Sequence, residues 1–267
     1  MKKSICLGCV PGRDDGERYA NAARCGFAAV EVGTLVDPAE RRKHKDLAAK
    51  HGLAVCSVMN SDHWQYPLSD PDPGVREKSL AGVAASIETA AALGADTVLV
   101  VPAVVTPDVT YEEAWERSAD SMSCVLPLAE KRKIVLGVEN VWNMFLLSPL
   151  EFAGYVDGFG SEYVAAYFDV GNIVAYGYPD HWIRTLGERI GKVHLKGFDA
   201  AKHAFVQLLD GTIDWPRVMA ALRDVGYDGW LTAELGPEGP DLLEGLAKIS
   251  GDMDRILAGR ARGPRQG

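Results

Sequence analysis

The chain has 267 residues, 47% of them hydrophobic and 24% charged, and a net charge of −9. That is enough apolar material for one large core, and the acidic balance argues against a general affinity for nucleic acid or an anionic membrane surface. The apolar run from Ile5 to Val10 is broken by Pro11-Gly12, too short for an export segment or a membrane span.

Short β-branched apolar runs alternate with longer segments of i, i+3, i+4 spacing. In chain order the pattern predicts strand Ser4–Leu7 and helix Asp14–Cys25, then Ala28–Val32 and Pro38–His51, then Ala54–Val58 and Pro73–Leu93. Thr97–Val101 and Tyr111–Lys131 follow, then Ile134–Glu139 and Pro149–Asp157, then Val164–Asp169 and Pro179–Glu188. Lys192–Leu195 with Trp215–Val225, and Trp230–Glu234 with Leu242–Leu257, complete the series. Pro38, Pro149 and Pro179 sit where first helical turns are expected, and Gly26, Gly52, Gly94 and Gly226 where helices should stop.

Eight such units with short connections imply parallel strands and right-handed crossovers, and eight is the number that closes a barrel. The expected fold is α/β, a single (β/α)8 TIM barrel over residues 1–258, with 259–267 as a flexible basic tail. The alternative, a doubly wound open sheet, would carry G-x-G-x-x-G after the first strand, and none is there. Two connections are long, 59–72 after the third strand and 196–214 after the seventh. In a barrel both lie at the C-terminal face, where active sites are built. The five cysteines follow no framework spacing, and Cys6-x-x-Cys9 lacks the second pair that zinc would need. Plain packing is expected of that pair, with reduced thiols and a cytoplasmic location. His44, His51 and His181 fall on helices or just beyond them and read as surface residues.

The later strands end in chemistry. Glu139, Asp169 and Glu234 close strands five, six and eight, and strand seven carries His194 and, two residues on, Lys196. A closed barrel brings those ends to one place. Three carboxylates gathered in a partly buried cavity repel one another, and a divalent cation removes the conflict. An oxygen-rich set with one imidazole suits Mn²⁺, Mg²⁺ or Co²⁺ better than a structural zinc.

The pieces His63-Trp64-Gln65-Tyr66-Pro67, Val138-Glu139-Asn140, Phe168-Asp169-Val170-Gly171-Asn172, Val193-His194-Leu195-Lys196 and Gly226-Tyr227-Asp228-Gly229-Trp230 before Glu234 carry a resemblance. The sequence resembles the xylose-isomerase-like barrels over nearly its whole length. Within them it is similar to the sugar phosphate isomerase/epimerase branch, which holds L-ribulose-5-phosphate 3-epimerase and the ketose 3-epimerases. The resemblance implies one divalent metal on Glu139, Asp169, His194 and Glu234, Mn²⁺ first and Mg²⁺, Co²⁺ or Zn²⁺ as alternatives. It also implies that Glu139 and Glu234 act as acid and base. Asn172 stands where some free-ketose epimerases have histidine, which resembles the sugar-phosphate branch. Gly197 stands where that branch often has aspartate after the His-x-Lys. An arginine that contacts substrate in some free-ketose enzymes has no counterpart, and Lys202 and His203 are the nearest polar residues.

The mechanism implied is C3 epimerisation of a ketose or ketose phosphate through a cis-enediolate, one glutamate removing a proton and the other returning one to the opposite face. The same apparatus can perform aldose–ketose isomerisation. Expected substrate contacts are His63, Asn172, Lys196 and Trp142, with Trp64 as a further wall. Each has a plainer reading as a solvated loop residue, a cap or aromatic packing. Glu31, closing strand two, reaches either the cavity or solvent. The rival readings on this site are a keto-inositol-type dehydratase, a non-catalytic sugar-binding barrel and, last, an endonuclease IV-like phosphoester hydrolase. The expected partner is a small sugar, not nucleic acid or membrane, and a homo-oligomer meeting through the aromatic loop at Trp64 and Tyr66 is a further expectation.

Overall fold

In a computed structural model of the chain, which describes residues 1–261, eight parallel strands close into a barrel. They are β1 Lys2–Cys6, β2 Ala29–Gly33, β3 Ala54–Met59, β4 Thr97–Val100, β5 Val135–Glu139, β6 Val164–Asp169, β7 Ile190–Leu195 and β10 Trp230–Ala233. Each pairs with its neighbour in sequence, and β1 closes the ring against β10 through Ser4 opposite Thr232. The small antiparallel hairpin β8 Gly197–Asp199 and β9 Ala204–Val206 rises from the long connection after β7.

The helices are α1 Asp15–Arg24, α2 Pro38–Lys50, α3 Pro73–Leu93, α4 Tyr111–Arg132, α5 Pro149–Asp157, the one-turn α6 Val170–Ile173, α7 Pro179–Leu186, α8 Trp215–Asp224 and α9 Leu242–Leu257. Most start on a side-chain cap. Asp14, Asp37, Asp72, Ser148, Asp214 and Asp241 each accept a backbone N–H of the first turn, and Thr110 with Glu113 forms a reciprocal capping box. The chain leaves α3 at Gly94 with φ 77°, a conformation that costs other residues a Cβ clash.

Boundaries differ from the periodicity by a few residues. Leu7 leaves the first strand for a 3-10 turn over Leu7–Cys9. Gly187, at φ 57° and ψ −132°, stops α7 before Glu188. At the C-terminus Ala261 is buried, and the N–H groups of Arg260 and Ala261 both donate to the Arg255 carbonyl. Most of the expected tail, 262–267, lies outside the described residues. His44 is not a surface residue as expected but only 6% exposed, with Tyr19 Oη 3.2 Å from its Nδ1. Its side chain packs inward against α1, where Asp15 also lies 3.4 Å from its Nε2.

Strand alternation separates two kinds of interior. Val30, Val32, Val98, Val100, Leu136, Val138, Phe168, Val193, Leu195 and Leu231 are buried and belong to the apolar core. Their neighbours in sequence, Glu31, Tyr167, His194 and Thr232, bond to one another or to Ser4 and Ser57 across the barrel axis. By period two, the first set faces the helices and the second fills the barrel. Two register shifts adjust the second set. An extra residue on β3 puts Glu31 opposite Ser57, and an extra residue on β7 puts Asp169 opposite His194.

Candidate active site

Glu139, Asp169, His194 and Glu234 converge at the C-terminal mouth of the barrel, each offering one donor atom within 4.8 Å of all the others. His194 is central. Its Nδ1 lies 3.0 Å from Glu139 Oε1, 3.3 Å from Glu234 Oε2 and 4.0 Å from Asp169 Oδ2. Asp169 is also the N-cap of α6. Its Oδ1 accepts the Asn172 N–H at 2.7 Å, which leaves Oδ2 turned to the cluster. Asn140 clamps the same strand end, accepting from the Asp169 N–H at 2.8 Å and donating to its carbonyl at 2.9 Å.

Lys196 completes the group, its ammonium 3.1 Å from Asp169 Oδ2 and in contact with Glu234. It passes over Gly171, where a Cβ would stand 2.3 Å from Lys196 Cγ. That close approach is why glycine occupies the third place of Asp169-Val170-Gly171-Asn172.

Five ionisable groups packed this way disturb one another. Burial pushes Glu139 up to about 7, and the charge of Glu234 adds to the shift. Burial also raises Asp169. On Glu234 burial acts in the same sense, but the charges of His194 and Lys196 win and hold its carboxyl well below the ordinary range. His194, despite burial, is held well above its ordinary value by Glu31 and Glu234. The buried oxygens Asp169 Oδ2 and Glu234 Oε2 have no hydrogen bond of good geometry, although Lys196 stands beside both. Buried carboxylate oxygens without a well-aligned donor are what a cation satisfies. Three carboxylate oxygens and one imidazole nitrogen are the donors a divalent ion takes with bonds of about 2.0–2.2 Å, so the residues present fit such an ion.

Above the cluster lies a pocket of about 230 Å³, lined by Glu139, Glu234, Lys196 and Asn172 on the polar side and by Trp64, Trp142 and Phe205 on the apolar side. His63 lines it too. It is buried, not solvent-facing, and its Nδ1 has no partner. Burial pushes its imidazole down to about 4, so it is neutral near pH 7. Asn172 reaches the lining, but its Nδ2 already donates to the Asn140 carbonyl at 2.9 Å. Trp142 is 45% exposed, and its indole N–H donates to the Asn172 carbonyl. His203 and Phe205 of the hairpin stack on it at 5.5 and 4.9 Å between ring centres.

A xylose isomerase-like TIM barrel family model matches residues 19–250. The chain belongs to that family. Among curated proteins, L-ribulose-5-phosphate 3-epimerase UlaE of Escherichia coli is 24% identical over 263 residues, covering 92% of this chain and 90% of that protein. Among solved structures, a D-tagatose 3-epimerase-like protein superposes with a TM-score of 0.83 at 19% identity, covering 97% of this chain and 98% of that one. The D-psicose 3-epimerase of Clostridium cellulolyticum gives 0.81 at 19% identity, covering 97% and 99%. The family's barrel accounts for the strand-end placement of all four clustered residues.

The structure also places residues at the site that sequence reasoning left aside. Glu31 reaches neither solvent nor the pocket. It lies beneath His194, with its Oε1 3.0 Å from His194 Nε2. Tyr167 and Ser57 bond to Glu31 from below. Cys6 is buried as packing predicted, but its thiol also donates to Glu31 at 3.2 Å. A signal was available. Tyr167 stands two residues before Asp169, and therefore on the same inward face. His51 is partly buried and His181 is largely exposed.

Proposed function

We propose that the chain is a divalent-metal-dependent ketose 3-epimerase acting on an open-chain, uncharged ketose. The observation that carries the reading is that two glutamates, Glu139 and Glu234, line one small pocket while both stand within 3.3 Å of His194 Nδ1. The pocket falls below the roughly 300–1,000 Å³ of drug-sized sites and suits a single monosaccharide.

Glu139, Asp169, His194 and Glu234 would hold the ion, Mn²⁺ first among the candidates. When bound it supplies Lewis acidity beside the substrate carbonyl. One glutamate removes the C3 proton as general base. The other delivers a proton to the opposite face of the planar enediolate, which inverts C3. The environments of the two carboxyls push their proton affinities apart, Glu139 upward and Glu234 downward. Lys196 and the unpartnered Nδ1 of neutral His63 are placed to hold substrate oxygens. Asn172 supports the wall by its bond to Asn140.

The far side of the pocket favours an uncharged sugar. Trp64, Val141, Trp142 and Phe205 offer flat apolar faces for the C–H side of a ketose. Barrel phosphate sites commonly form from the loops after the seventh and eighth barrel strands. Here those loops hold Asp199, Glu238 and Asp241, and Lys202 is paired with Asp199. The reading departs in this respect from the phosphorylated sugar in the name of UlaE.

The test is a panel of free and phosphorylated ketopentoses and ketohexoses, incubated with metal-stripped and Mn²⁺-reloaded protein and followed by NMR. A new C3 epimer from a free ketose, formed only with metal and more slowly from the phosphate ester, is expected. Turnover of the phosphate ester alone would reject the uncharged substrate. No epimer from any ketose despite bound metal would reject the epimerase.

A further inference from the structure

A buried carboxylate lies on the far side of His194 from the pocket, where it touches no substrate. Glu31 is 2% exposed. Its Oε1 is 3.0 Å from His194 Nε2 and 3.2 Å from the Cys6 thiol. Its Oε2 is 2.6 Å from Ser57 Oγ and 2.6 Å from Tyr167 Oη. A carboxylate has about four lone-pair sites, and here each oxygen receives two donors. Tyr167, Ser57 and Cys6 all donate to it, which is the pattern a carboxylate acting only as acceptor collects.

The surroundings are shaped for this arrangement. The register shift between β2 and β3 brings Ser57 opposite Glu31. Tyr167 reaches Glu31 from β6, across the barrel, past Gly137, where a Cβ would stand 3.0 Å from the Tyr167 ring. The same ring meets His194 edge-on, with centres 4.6 Å apart. TIM-barrel interiors are ordinarily filled by Val, Ile and Leu. A charged, fully bonded group there needs a reason.

The consequence for His194 follows from hydrogen-bond chemistry. An ionised carboxylate only accepts, so the ring nitrogen facing it must carry the proton. In neutral His194 that leaves the Nδ1 lone pair directed at Glu139, Asp169 and Glu234. A hydrogen-bonded carboxylate behind the ring also raises the basicity of the ligating nitrogen.

We infer that Glu31 is a positioning residue which, held by Tyr167, Ser57 and Cys6, fixes the tautomer and ring plane of His194 so that Nδ1 serves as the metal ligand. This rests on the proposed metal site, and the test separates the two. Mn²⁺ binding is measured by calorimetry on stripped wild type, Glu31→Gln, Tyr167→Phe and Tyr155→Phe, with the visible spectrum of each Co²⁺-loaded protein as a second readout. Tyr155 donates to Ser118 at 2.9 Å far from the cluster, so its variant loses a buried tyrosine bond without touching Glu31.

The expected result is a Kd raised about 10–100-fold in Glu31→Gln, the usual effect of losing an outer partner of a metal-bound histidine. The Co²⁺ spectrum should change with it. Tyr167→Phe should show a smaller rise, and Tyr155→Phe none. Wild-type Kd and spectrum in a folded Glu31→Gln would overturn the inference while leaving the metal site standing. If Glu31→Gln does not fold, unchanged Kd in both Tyr167→Phe and Ser57→Ala overturns it. Absence of Mn²⁺ binding by the wild type would remove the metal site and the inference together.

Discussion

The floor and the mouth of the site are built on different principles. At the floor, side chains come from strands or the residue just after one, are buried except for the quarter-exposed Glu234, and hold one another by contacts of 2.6–3.3 Å, from Ser57 and Tyr167 through Glu31 to His194, Glu139 and Glu234. At the mouth, Trp64, Trp142 and Phe205 come from loops and a three-residue-stranded hairpin and are 55%, 45% and 46% exposed. Backbone strain gathers there as well, with Met144 at φ 59°, Leu146 at 55° and His203 at 49°. The difference teaches a division of labour. Reactive geometry rests on rigid strand ends, and substrate fit rests on loops that sequence change can alter without moving the chemistry.

The largest effects should come from the floor. Glu139→Gln and Glu234→Gln should each lower kcat by about 10²–10⁴, the range for loss of a general acid or base, with little change in KM. Steady-state kinetics on both variants checks this, and equal losses in KM alone would break the distinction between floor and mouth.

Metal removal is next. Stripping by chelator leaves three carboxylates facing one another, and at 100 times Kd a bound ion stabilises the fold by about 2.7 kcal/mol. Thermal melts with and without Mn²⁺ should separate clearly. Coincident melts would show that the cluster holds no ion.

His63 sits at the seam between the two regions and sharpens it through pH. Its folded value of about 4 lies below the unfolded value of about 6.5. Between the two the unfolded chain binds the extra proton, so this contribution is complete above about pH 6.5 and is lost as pH falls towards 4. Urea unfolding at pH 7 and 4.5 should show a pH-dependent loss about 2 kcal/mol smaller in His63→Gln than in wild type. Identical slopes would place His63 in water.

The smallest effect belongs to the mouth. Trp142→Ala should raise KM about tenfold, equivalent to about 1.4 kcal/mol, while kcat and Mn²⁺ affinity stay near wild type. A large fall in Mn²⁺ affinity would show that mouth and floor are one unit.

The barrel was legible because β-branched runs and helical spacing alternate along the whole chain, with Pro38, Pro149 and Pro179 at helix starts as expected. The four clustered residues were legible because they end consecutive strands. Glu31 was harder. Its inward parity is visible, but the partner Ser57 depends on a one-residue register shift that no periodicity reveals. His63 lies in a connection between β3 and α3 without a repeating pattern, so nothing in the sequence distinguishes burial from exposure there. Cys6 was read for its spacing to Cys9, but in space it also meets Glu31 and His194.

The most direct test of two-base chemistry at this cluster is deuterium entry at C3 of a free ketose in D2O, followed by NMR on the Mn²⁺-loaded protein. Metal-dependent exchange accompanied by the new epimer, and lost in Glu139→Gln and Glu234→Gln, is the predicted result. Exchange that persists in both variants, or its absence in the loaded wild type with every ketose, would contradict it.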